Sequence, residues 1–204
     1  MSIRAAVLPL AACLALAAQD HPGGNRFGLG LSLMQPLDSL GDNLGSGFQA
    51  GLQVHFNRES RHLGRLRIDY LQADSRGLVQ DGLTTSWNGS TWVLVPNLAR
   101  TRMEAYSVAY EWMPHLEPHS RSGAFGILGM GGMLWNESLH ATSTPRGTYT
   151  ESDLGFTLSA GAGFRFNPHA TLEARLVRSE LQFGGRHRYG TVRTFLTLGT
   201  SLRF

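Results

Sequence analysis

Lysine is absent from this 204-residue chain, so all 18 basic residues are arginine. That uniformity reads as compositional bias of the source genome. Charge of either sign is scarce: charged residues make up 16%, against about a quarter in ordinary soluble proteins. A soluble surface of this size should carry more. With a formal net charge of +3 and no basic stripe interleaved with aromatics, nothing supports a nucleic-acid partner. Cysteine occurs once, as Cys13, close to the N-terminus. No stretch keeps a helical apolar period for more than a few turns, so a helical bundle is excluded. Glycine is plentiful instead, at 25 residues, and points to strands, turns and close backbone contacts.

The first residues read as an export leader. "MSIR" gives a short basic region through Arg4, "AAVLPLAACLALAA" gives the apolar region, and Ala15-Leu16-Ala17 gives the small-x-small cleavage pattern. The apolar run falls short of the ~20 residues a spanning helix needs. The division expected is a signal peptide over 1–17 and a single β-barrel domain over 18–204. "LAAC" (Leu10 to Cys13) resembles a lipoprotein lipobox, but another apolar run, "LALAA", follows it, and ordinary cleavage fits better. After cleavage near Ala17 no cysteine and no disulfide remains.

Past the leader the recurring signal is period-two alternation. "RFGLGLSLM", "GFQAGLQVHF", "GRLRIDYLQ", "MEAYSVAYEW", "LGFTLSAGAGFRF", "ATLEARLV" and the tail from Val192 each set an apolar face against a small or polar one. An eighth stretch, "AFGILGMGGMLW", is apolar on both faces, and its parity stays open. Eight strands allow a closed antiparallel up-and-down barrel. Long polar connections alternate with short ones such as "NRESRH" and "NPH". Long loops at one end and short turns at the other are the pattern of an outer-membrane barrel.

The face opposite the apolar set is built from Gly, Ser, Thr, Ala and Gln, with charges able to pair. That suits a crowded lumen better than a solvent face. By parity Arg65, Arg67, Asp69, Glu111, Glu173, Arg175, Arg193 and Arg203 point inward, as a plug of ion pairs. Phe27, Phe56, Trp112, Phe125, Phe166 and Phe204 fall at the short-turn ends of their strands, where an aromatic girdle belongs. Both assignments make the fold all-β: an eight-stranded transmembrane barrel.

The tail "TFLTLGTSLRF" resembles the C-terminal assembly signal of Gram-negative outer-membrane barrels. Thr197, Gly199, Leu202 and Phe204 occupy its polar, Gly, apolar and terminal aromatic positions. The mature chain is similar to the small eight-stranded class that includes OmpX and the OmpA transmembrane domain. The resemblance implies barrel-assembly machinery and periplasmic chaperones as partners during biogenesis. It also implies outer-membrane lipid and lipopolysaccharide as surroundings. Because the chain stops where the barrel closes, a periplasmic peptidoglycan-binding domain is not expected.

Little in the sequence suggests chemistry. In "PHLEPHS", His115, Glu117 and His119 mimic a metal cluster, but Pro114 and Pro118 exclude a helix, so the spacing holds no ligand geometry. His55 reads as a hydrogen-bonded interior residue. Arg186, His187 and Arg188 in "GGRHRYG" form either an anion contact for lipopolysaccharide phosphate or a solvated loop. No Gly-x-Ser-x-Gly stretch occurs. No catalytic residue, metal or cofactor is assigned, and a monomer is expected. Function is placed in the extracellular loops, with partners expected at 73–100 and 136–153. Trp87 and Trp92 lie there, on a hairpin turning at Asn88-Gly89, or on a ledge for a partner. The primary reading is a non-enzymatic surface protein. The alternatives are a narrow channel or carrier for small solutes, resembling the OmpW group in size, and a lipid-modifying enzyme.

Overall fold

Alternating sequences pair into ladders, and here every ladder is antiparallel. The computed structural model describes residues 26–37, 44–56, 62–116, 122–141, 148–183 and 192–204. The strands are β1 (Arg26–Pro36), β2 (Gly47–Phe56), β3 (His62–Asp74), β4 (Val79–Trp87), β5 (Trp92–Pro114), β6 (Gly123–Ala141), β7 (Thr148–Asn167), β8 (Ala170–Phe183) and β9 (Val192–Arg203). β1 pairs with both β2 and β9, and β3 pairs with β5, which closes a ring of eight. The ninth segment, β4, takes over from β3 after Ser75–Leu78 and pairs with the N-terminal part of β5. It therefore belongs to a ribbon above the ring rather than to its wall. The twenty-three residues of β5 extend to about 75 Å. A belt of about 25 Å cannot contain them, even with tilt.

Burial is inverted relative to a soluble protein. Leu31, Leu33, Met130 and Leu198 stand on the outer face at 52–69% exposure, whereas Arg65 and Arg67 in the lumen are 0% and 2% exposed. An apolar surface of that extent has no place in water and matches a lipid contact. Two apolar layers fill the lumen. One, toward the long-loop rim, contains Met34, Leu71, Met103, Met133, Trp135 and Phe195. The other, toward the short-turn rim, contains Leu63, Met113, Phe125 and Ile127.

Phe125 corrects one expectation, since it is buried in the lumen at 2% exposure and takes no part in the outer girdle. β6 is apolar on both faces, so its pattern could not show which set turns in. Position 163 helps decide it: a Cβ on Gly163 would run into the Phe125 ring, so glycine there makes room for it. Ile127, Met133 and Trp135 share that inward parity.

The polar segment between β6 and β7 also differs from expectation. Asn136–Ala141 and Thr148–Asp153 continue the ladder from Asn136↔Ser152 to His140↔Thr148 instead of forming a loop. β6 and β7 thus rise past the belt, as the β4–β5 ribbon does.

Candidate functional site

The lumen is organised around a guanidinium. Arg65 on β3 donates from Nε to Glu111 Oε2 at 2.6 Å and from its two terminal nitrogens to Glu173 Oε1 and Oε2 at 2.6 and 2.7 Å. Arg175 reaches the other Glu111 oxygen at 3.0 Å. Arg67 holds Asp69 through two donors at 3.1 and 2.8 Å and approaches Glu173 at 3.5 Å. Thr171 and Ser201 give Glu173 Oε1 two hydroxyl donors at 3.0 and 3.2 Å. Gln53 accepts from Arg65 at 3.2 Å. Three cations and three carboxylates sum to zero, which makes the burial of six charges tolerable. Layers of apolar side chains lie above and below the network, so it plugs the barrel.

Two of the eight residues expected in this network lie apart from it. Arg193 sits in the loop-side layer, donating to Glu137 at 2.9 Å with its guanidinium 5.1 Å from the Trp135 ring centroid. Arg203 lies at the short-turn end, its backbone N–H donating to His169 O at 2.7 Å. His55 is buried in the lumen near the same end as expected, but neither ring nitrogen has a hydrogen-bond partner among the described residues, which corrects the reading of it as hydrogen-bonded. Sequence reasoning passed over Glu137, because "NES" reads as a loop. It also passed over Gln53 and Gln49, whose inward parity was the available signal; Gln49 accepts from Arg175 at 3.4 Å.

On the seam, Thr197 and Gly199 face the lumen while Leu202 and Phe204 stand outside, half exposed. A Cβ on Gly199 would collide with Ser32 and the Leu31 carbonyl, so glycine lets β9 approach β1 closely. Phe27, Phe56, Trp112, Phe166 and Phe204 lie on the outer face at the short-turn end, with Phe164 5.3 Å from Phe166. A second aromatic group, missed in the sequence, marks the loop side. Phe48, Tyr70 and Tyr106 pack in a row at 6.0 and 5.3 Å. Each sits near the loop end of its alternating segment, which was the signal for it.

Above the belt, β4 and β5 meet at Trp87↔Trp92, whose rings are edge to face at 5.6 Å. The turn runs through Asn88–Thr91. Asn88 Oδ1 accepts from the N–H groups of Ser90 and Thr91 at 3.0 and 2.9 Å, and Gly89 has φ of 98°, a conformation that suits glycine. Leu83 and Leu94 share the face of the tryptophan pair, and all four side chains are exposed. No ionisable residue occurs from Gly82 to Ala99.

His115 uses both ring nitrogens. Arg165 can only donate, so Nε2 accepts from it and Nδ1–H donates to Met113 O at 3.0 Å. Among the described residues no group of three potential metal ligands occurs. Glu117 and His119 lie outside the described residues, as do Arg186, His187 and Arg188.

A closed ring of eight antiparallel strands, apolar outside, charged within and banded by aromatics, defines a small transmembrane barrel of the bacterial outer membrane. The model of the outer membrane protein beta-barrel domain family matches residues 5–204, and the chain belongs to that family. Among solved structures it is similar to Ail, the attachment invasion locus protein of Yersinia pestis. The TM-score is 0.52 at 16% identity, covering 90% of this chain and 100% of that one. It is also similar to a major outer membrane protein from Thermus thermophilus, with a TM-score of 0.54 at 13% identity, covering 89% of this chain and 100% of that one. At such identities the likeness is one of fold. No curated protein matches the chain.

Proposed function

We propose that this protein is a non-enzymatic component of the cell surface, exported by a cleaved leader, with its short-turn rim toward the periplasm. It acts through the structures above its loop rim. The exposed Trp87–Trp92 pair on the β4–β5 ribbon carries this reading, since it spends apolar surface where a solvated loop needs none. The plugged lumen supports the same reading, because solute passage would require the Arg65 network to open. Ail, similar in fold, is by its name an attachment and invasion protein, and one of its structures is a complex with the heparin analogue sucrose octasulfate. Attachment to another surface is the role that fits the ribbon here.

The test is retention of whole cells on immobilised host matrix, comparing the wild type with a Trp87→Ser, Trp92→Ser double variant. Retention should fall several-fold while the boiled and unboiled gel mobilities of the barrel still differ. Equal retention at equal surface level would sink the reading. Lipid A from cells with and without the protein should give the same acylation pattern by mass spectrometry. A changed pattern would point to the enzyme alternative instead.

A further inference from the structure

Two ribbons rise above the belt, and only one of them is built for water. On the outward face of the β6–β7 ribbon, Ser152 donates to Asn136 at 2.7 Å and the Ser138 and Thr150 hydroxyls meet at 3.1 Å. The β4–β5 ribbon is the opposite, with no ionisable residue from Gly82 to Ala99. Its exposed side chains are placed by following β5 upward from the short-turn end. The even-numbered positions face lipid from Trp112 through Tyr110 and Val108 to Tyr106. Glu104, Arg102 and Arg100 follow on the same face as a charged band, with Arg102 3.1 Å from Glu104 and 3.9 Å from Asp74. Beyond the band the face turns apolar a second time, at Leu94 and Trp92, with Leu83 and Trp87 beside them on β4. Trp92 lies twelve positions past Glu104, which is roughly 40 Å along a strand and roughly 30 Å in height at the tilt of a barrel.

What meets the second apolar zone is indicated by the first. Leu83, Trp87, Trp92 and Leu94 are 54–69% exposed, matching the 52–69% of Leu31, Leu33, Met130 and Leu198 on the lipid-facing wall. The chemistry matches as well, since both zones set leucine and bulky apolar side chains outward without charge. A protein partner calls for a polar rim around an apolar patch, and an anionic surface calls for basic residues; the ribbon carries no charge for either. Depth is limited by the backbone. β4 pairs with β5 alone among the described strands, and hydrocarbon cannot satisfy the N–H and C=O groups of an open edge. Indole rings suit the shallower layer, where the ring body meets acyl chains and the N–H meets lipid oxygen. We propose that the tip of the ribbon seats in the interfacial layer of a second, apposed phospholipid bilayer, anchored by Trp87 and Trp92. This deepens the attachment role proposed above and rests on its orientation, because only an outward ribbon meets another membrane.

The probe is phosphatidylcholine vesicles, added to the full-length protein held in nanodiscs and floated on a density gradient. The protein should rise with the vesicles, equally in dilute buffer and in molar salt, because no charge is engaged. Replacing both anchors, Trp87→Ser with Trp92→Ser, should lower the floated fraction about tenfold, whereas Trp87→Phe with Trp92→Phe should keep most of it. Thr85→Asp, which places a first charge on the exposed face, should lower it similarly to the serine pair. Only variants that keep the heat-dependent gel shift count, and if the serine pair fails that check, Thr85→Asp decides. Absence of flotation, equal flotation of the serine pair, a requirement for phosphatidylserine in the vesicles, or tryptophan-dependent dimers in place of flotation would each overturn the bilayer as partner. Tryptophan-dependent retention of cells on matrix without flotation would overturn it too, and leave the attachment reading standing. Protease treatment of intact cells tests orientation separately. A ribbon left uncut would overturn the surface reading, and with it the apposed membrane, whatever the vesicles show.

Discussion

Removing the Arg65 guanidinium would leave Glu111 and Glu173 facing each other in the lumen, with their best donor gone. Arg65→Met should therefore destabilise the barrel by about 3–5 kcal/mol, the usual consequence of stranding a buried charge. Urea unfolding in lipid vesicles, followed by tryptophan fluorescence, measures this. Adding Glu173→Gln to that variant should recover part of the loss, because one stranded charge is then neutral. A second residue links stability to pH. His115 lies beyond the end of β5, outside the strands, where burial first and Arg165 second hold its ring down from 6.5 to about 4. The unfolded chain takes up this proton below about 6.5 and the folded chain does not until about 4, so acidification within that window favours unfolding. The urea midpoint should fall between pH 7.5 and pH 5, and fall less in His115→Gln. An equal fall in both proteins would remove His115 from the account. Single residues differed in how much the sequence revealed. Inward parity at Arg65, Glu111 and Glu173 followed from clean alternation, but their mutual pairing depends on how the ring closes, and no local pattern encodes that. Phe125 lay in a strand without alternation, and its direction shows only in the assembled barrel, where the gap at Gly163 opposite makes room for its ring.

By strand pairing the β4–β5 ribbon is held to the ring through β5 alone among the described strands, since β3 passes into it by the connection Ser75–Leu78, which belongs to no strand. Its loss should cost the wall little. Replacing Leu83–Pro96 by a short Gly-Ser connection should leave the β3–β5 and β5–β6 ladders in place. The boiled and unboiled samples should then still migrate differently on a denaturing gel. Loss of the shift would mean that the ribbon holds the ring closed. Its turn was legible, because Asn-Gly between apolar segments is a strong local signal. The rise of β6 and β7 was not. Asn136–Ala141 and Thr148–Asp153 are mostly polar and show no sustained apolar alternation in sequence, and such a strand looks like a loop.

For the whole molecule, the neutral plug between two apolar layers predicts electrical silence. Purified protein in a planar bilayer should show no discrete conductance steps, and reproducible steps would revive the channel alternative. The plug also bears on how the chain finds its register. Arg65 and Glu173 are 108 residues apart, and the three acids and three arginines come from β3, β5 and β8. Sliding a hairpin that carries β3, β5 or β8 by two residues would preserve the alternation and keep every apolar side chain facing lipid, so the outer face cannot detect the error. The lumen can, because such a slip leaves a carboxylate opposite a methionine or an arginine opposite nothing. The charges serve as a checksum over distant strands, computed only when the sheet closes on itself. Substitutions that exchange one apolar residue for another outside should pass unnoticed, whereas a register error must be found and corrected before water leaves the lumen.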